Sequence, residues 1–182
     1  LVSDDSGGDN AAYGYQALTN NTRGSQNVAM GPNTLLYNKG NNGSTAIGYQ
    51  AMMNPDTSEF FPEQRTTYNT AIGYESLKGN YPPWNNTGTD NTATGAHTLK
   101  NNSAGSSNVA IGSRALFTNT TGNTNIAIGR SALYSNTDKS NLMAIGDSAL
   151  FYNTTGNMNL AFGASALKSN VSGSSNLAIG AF

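Results

Sequence analysis

Ten times along the chain an Ala is followed two residues later by a Gly, at Gly14, Gly31, Gly48, Gly73, Gly95, Gly112, Gly129, Gly146, Gly163 and Gly180. Seven of the nine intervals are 17 residues. A unit this short cannot bury its own apolar face, so a fixed period means that equivalent units stack and complete one another's core. The repeat runs through residues 1–182 without a linker, which predicts one elongated domain with its function on the surface.

Aligned on the Gly, each repeat resolves into columns. The position after the Ala is large and mostly apolar, as in Met30, Ile72, Ile111 and Phe162; four residues after the Gly stands a Leu column including Leu18, Leu35, Leu116 and Leu150. These runs are too brief for helices and are bounded by Asn, Thr and Gly clusters, so they predict two short strands per coil and an all-β, parallel β-solenoid of about ten 17-residue coils. Alternation along the first strand puts Val109 and Ile111 on one face and Ala110 on the other. The expectation is that the large face fills the coil and the Ala face meets something close. Ala29, Ala46, Ala71, Ala93, Ala110, Ala127, Ala144 and Ala161 are then candidate contacts between chains; the competing placement sends them into the interior of a flattened coil.

Two Asn columns flank the apolar ones. Asn21, Asn38, Asn80, Asn102, Asn119, Asn136, Asn153 and Asn170 stand seven residues after the Gly, and Asn10, Asn27, Asn69, Asn91, Asn108, Asn125, Asn159 and Asn176 precede the strand. Stacked carboxamides can hydrogen-bond their equivalents one coil away and satisfy polar groups at a corner that water reaches poorly. Leu142 interrupts the second column. The chain has 27 Asn but only 10% charged residues, against roughly 25% in ordinary globular proteins, so its solubility rests on amides and hydroxyls.

The segment Asn108-Val-Ala-Ile-Gly-Ser-Arg-Ala-Leu116, with its copies from Asn125 to Leu133 and from Asn159 to Leu167, resembles the head repeats of trimeric autotransporter adhesins of the YadA type. It is also similar to related repeats in phage tail fibres. The resemblance implies a left-handed parallel β-roll, three chains about one axis, exposure outside the cell or virion, and attachment to a host-surface protein, matrix protein or glycan. The period here is longer than that of the typical adhesin head.

Two intervals break the period. Gly48 to Gly73 carries eight extra residues and Gly73 to Gly95 five, giving insertions near 54–68 and 79–90. Both follow the Ala-Leu run of consecutive coils and should emerge side by side. Phe60, Phe61, Tyr68, Tyr81 and Trp84 form the candidate ligand-binding set, because flat aromatic faces suit sugar rings or a protein partner at low entropic cost. The same residues would serve equally as a plug packed on the rod.

The remaining chemistry is sparse. The chain has no Cys, one His (His97) and a formal net charge of −1, without a basic cluster, so neither disulfides, cysteine nucleophiles nor a nucleic-acid footprint is expected. Asp4, Asp5 and Asp9 match no calcium-loop spacing, and no cofactor or metal is expected. Asn-x-Ser/Thr triplets at Asn119, Asn153 and Asn170 follow from composition and turn chemistry. No apolar run is long enough to insert in a membrane. The expected function is a non-enzymatic extracellular adhesin or fibre segment, with a self-assembling filament module as the alternative and ice binding as a lesser one.

Overall fold

A three-residue strand can point only its middle side chain to one side, and that geometry sets the whole architecture. The computed structural model describes residues 7–55, 65–80 and 86–181. Within them lie β1 (Ala11–Tyr13), β2 (Val28–Met30), β3 (Asn41–Asn42), β4 (Thr45–Ile47), β5 (Arg65–Thr66), β6 (Thr70–Ile72), β7 (Thr92–Thr94), β8 (Val109–Ile111), β9 (Ile126–Ile128), β10 (Met143–Ile145), β11 (Leu160–Phe162) and β12 (Leu177–Ile179). Ten of these form one parallel sheet in the order β1-β2-β4-β6-β7-β8-β9-β10-β11-β12, and β3 pairs with β5 beside it. Register follows the repeat: Ala110 lies over Ala127, and Ala144 over Ala161. The fold is an all-β parallel solenoid, and at about 4.8 Å per strand its sheet is about 45 Å long.

The Ala column points inward. Ala29, Ala46, Ala71, Ala93, Ala110, Ala127, Ala144 and Ala161 are all fully buried within a single chain, whereas Met30, Ile72 and Ile111 are exposed. This reverses the expected orientation and removes those eight alanines as contacts between chains. The reason is size: the coil is so thin that the wall facing the Leu column has room for a methyl group and nothing larger. Ala115, Ala132 and Ala149 are likewise buried, next to Leu116, Leu133 and Leu150.

The second expected strand does not form. The amide of Ala115 donates to the carbonyl of Gly112 (3.2 Å), and the amide of Asn119 to that of Leu116 (3.2 Å), so two tight turns follow one another where the strand was placed. The Leu column sits at the joint between them with φ of 44 to 52°, and the residue two after each Gly is also left-handed, as in Arg114 at 60°. A positive φ at the third turn position suits Gly best, and elsewhere costs about 1–2 kcal/mol. Hydrogen bonds to both neighbouring coils hold it: Arg114 N–H reaches Ala96 O at 3.0 Å and Leu116 N–H reaches Ala132 O at 3.0 Å. The Gly itself is fixed by proximity, since a Cβ on Gly129 would lie 2.4 Å from the carbonyl oxygen of Gly146.

Both Asn columns are buried ladders. Asn119 Nδ2 donates to Asn102 Oδ1 (2.8 Å) and to Gly122 O (3.0 Å), while Asn136 Nδ2 donates to Asn119 Oδ1 (3.1 Å). In the other ladder Asn108 Nδ2 also reaches Gly122 O (2.9 Å), and its Oδ1 accepts the backbone N–H of Asn125 (3.0 Å). One carbonyl per coil thus ties the two ladders together. Leu142 fits the second column because its own backbone N–H supplies the bond to Asn125 Oδ1 (3.0 Å).

Candidate functional site

Sending the alanines inward leaves the two flanking positions of every strand on the outside. One outward column reads Val109, Ile126, Met143, Leu160, Leu177 over β8–β12, and the other Ile111, Ile128, Ile145, Phe162, Ile179. Ile111 is 40% exposed and Leu160 37%. Across β4, β6 and β7 the same face carries Thr45, Thr70, Thr92 and Thr94. The face is therefore flat, regular and apolar toward β12, and more polar where the coils are enlarged. A contiguous apolar surface of this kind marks an interaction site more often than an isolated exposed Leu does.

A second side carries a run of rings. Tyr49 stacks on Tyr74 at 5.3 Å between centroids, Tyr74 meets His97 edge-on at 5.2 Å, and His97 leads to Phe117 at 6.4 Å. Phe117, Tyr134 and Phe151 then stack in parallel at 5.2 and 4.9 Å, and Tyr152 closes the run against Phe151 at 4.7 Å. The ring faces are spent largely on one another. The run strengthens the stack, at about 0.5–1.5 kcal/mol per pair, and turns mainly edges to solvent.

Beside Tyr74 and His97 lies an ionic cluster centred on Glu75. Its Oε1 is 2.6 Å from Lys78 Nζ, and its Oε2 is 2.7 Å from Lys100 Nζ and 3.2 Å from His97 Nδ1. Burial of Glu75 works to raise its pKa, but the hydrogen bonds and charges of Lys100 and Lys78 outweigh it and hold the carboxyl below its usual range. The cluster ties adjacent coils together. Among the described residues no group of three or more His, Cys, Asp or Glu is placed to hold a metal ion.

The third side is polar and bonded to itself. Ser106 N–H donates to Asn123 Oδ1 (2.7 Å), and Asn123 N–H to Ser140 Oγ (2.9 Å). This exposed ladder, with Ser25, Asn42, Asn157 and Ser174 in the same column, is legible as Ser or Asn every 17 residues, although the sequence reading passed over it. The centre of the aromatic run is legible in the same way, since Phe117, Tyr134 and Phe151 stand five residues after consecutive glycines at 17-residue spacing, whereas Tyr49, Tyr74, His97 and Tyr152 join it from other columns and meet it only when the coils stack.

Of the candidate ligand-binding residues, Phe60, Phe61, Tyr81 and Trp84 lie outside the described residues. Tyr68 is 67% exposed, adopts φ of 49°, and lies so that a Cβ on Gly43 would come within 3.2 Å of its ring. It therefore covers the backbone of the neighbouring coil with one part of its ring and faces solvent with the rest. The triplet asparagines Asn119 and Asn153 are fully buried in the ladder, which leaves no space for a glycan in the folded coil.

No protein-family model, curated protein or solved structure matches the chain. No helix among the described residues is long and apolar enough to cross a membrane.

Proposed function

We propose that this chain is a non-enzymatic segment of an extracellular adhesin or fibre, a stiff rod that associates with copies of itself, as a homotrimer, and presents its enlarged coils to a host-surface protein, matrix protein or glycan. The single observation that carries the reading is the outward apolar face over β8–β12, next to a scaffold whose buried interior is filled by methyl groups, leucines and carboxamides. A thin solenoid gains little from burial within one coil, so covering that face with other copies supplies the missing apolar contact. A copy of the same chain has the same spacing between coils, which lets columns meet columns along the whole contact. The distribution along the rod supports the assignment: β8–β12 are apolar at both outward positions and suit association, and the Thr positions fall on β4, β6 and β7, the coils that carry the two insertions.

Sedimentation velocity on the parent chain and on the Ile111→Asp/Ile128→Asp double variant tests it. The parent should sediment as a discrete trimer and the variant as a monomer with unchanged β circular dichroism, since both side chains point outward. A monomeric parent at micromolar concentration overturns the reading. Attachment is tested separately on matrix-protein and glycan arrays, where Tyr81→Ala/Trp84→Ala should lose binding without a change in melting. Lowered melting instead assigns those rings to packing.

A further inference from the structure

Of the two outward columns, the one that begins at Tyr13 and ends at Ile179 runs unbroken through all ten strands of the large sheet. The insertions do not shift it, because Ile72 still pairs with Thr94 and Thr94 with Ile111. Every member except Thr94 is aromatic or a long aliphatic side chain. The companion column is less uniform, since it passes through Thr45, Thr70 and Thr92. The column of Thr94 is therefore the one suited to the middle of an apolar contact, and a single hydroxyl interrupts it.

That hydroxyl is not used inside the chain. Thr98 Oγ1 donates to Gly112 O at 2.9 Å and Thr120 Oγ1 to Thr137 O at 3.0 Å, each tying its coil to the next. Thr94 stands on the opposite face of its strand from the buried Ala93, and its side chain bonds to none of the described residues. A polar side chain isolated in an apolar contact lowers stability but dictates which layers meet, because only its own equivalent can satisfy it. A Thr hydroxyl has one donor and two lone pairs. Three copies about one axis can thus close a ring in which each Thr94 donates to the next, whereas two copies cannot. A copy displaced by one coil sets Thr94 against Ile72 or Ile111 and leaves the hydroxyls covered without partners. We infer that Thr94 is the residue by which copies of this chain recognise their common register and reject one another when displaced. The inference rests on the association of copies proposed above and adds the element that makes it selective.

The test mixes parent chains carrying a mass tag with untagged variants in equal amounts, unfolds and refolds them together, and counts the assemblies by native mass spectrometry. Thr94→Ser keeps the hydroxyl and should enter trimers with the parent in random proportions. Thr94→Val keeps the shape without the hydroxyl, and its mixed trimers with the parent should be about tenfold rarer than random, the order of penalty for a covered hydroxyl left unpaired. Random mixing of the Val chain overturns the inference, as does exclusion of the Ser chain as strong as that of the Val chain. Should Thr94→Val fail to fold, Thr94→Ile offers the same contrast with the residue that already fills the neighbouring layers. Random mixing within intact trimers leaves the association standing and removes only the role of Thr94. A parent found solely as monomer removes the association itself, and this inference with it.

Discussion

The most exacting residue in each coil is the Asn seven places after the Gly. Asn119 is fully buried and makes three side-chain hydrogen bonds, two as donor and one as acceptor. Replacing it with Leu keeps the branching of the side chain, in a larger volume, but leaves Asn102 Oδ1 buried without a donor, at a cost of about 1–3 kcal/mol for that oxygen before other losses are counted. We expect Asn119→Leu to destabilise the fold by about 2–4 kcal/mol in urea unfolding monitored by circular dichroism. Asn119→Asp should be at least as damaging, because a carboxylate oxygen would then face Asn102 Oδ1 in place of the amide donor. Leu142 shows why the other column is more forgiving, since there the backbone N–H keeps the hydrogen bond and only a side chain is exchanged. A measured loss below about 0.5 kcal/mol for Asn119→Leu would mean that the ladder is decorative.

At the scale of the strand, the informative contrast is between neighbours that point opposite ways. Ala110 has no exposure and faces the Leu wall, whereas Ile111 is on the outer face. Ala110→Val adds two methyl groups where the coil has no space and should cost about 1–3 kcal/mol, despite the better strand propensity of Val. Ile111→Val removes a methylene from an exposed position and should cost under about 1 kcal/mol. The reverse ordering in chemical denaturation would put the alanines outside. This pair also shows what the sequence could and could not disclose. The period, the parallel stacking, the Leu column and both amide ladders follow directly from residue identity at fixed spacing. The direction of the strand does not, because alternation separates Ala110 from Ile111 without saying which side is in; the answer depends on coil thickness, set by the two successive turns after each Gly. Those turns were themselves hidden, since Ala-Leu reads as a strand, and a Leu at φ near 50° runs against its local preference. Within the aromatic run Phe117, Tyr134 and Phe151 form one 17-residue column, and only the joining of Tyr49, Tyr74, His97 and Tyr152 from other columns needed the stacked coordinates.

For the molecule as a whole, stability is distributed over repeated neighbour contacts, so a single ionic cluster acts mainly where it joins two coils. Glu75 has this place, bridging Lys78 in its own coil and Lys100 in the next. Its carboxyl titrates below the ordinary value of 4.5 in the folded chain, so the folded state holds the charged form more strongly than the unfolded chain does. For a depressed acid the stabilisation is complete above the unfolded pKa and is lost as pH falls through the folded one. The melting temperature should therefore change little through Glu75 between pH 7 and pH 5, then fall below about pH 4.5 as this carboxyl is protonated. Glu75→Gln should lower the melting temperature at pH 7 and flatten the acid limb, because the substituted chain has no charge there to lose. Lys100→Met should do part of the same, since Lys78 still pairs with the carboxylate. Thermal scans of the three chains from pH 3 to pH 7 distinguish this from general acid unfolding. If the acid limb of Glu75→Gln has the same slope as that of the parent, the link between the coils does not run through this carboxylate, and the stack there is held by the rings of Tyr74, His97 and Phe117 instead.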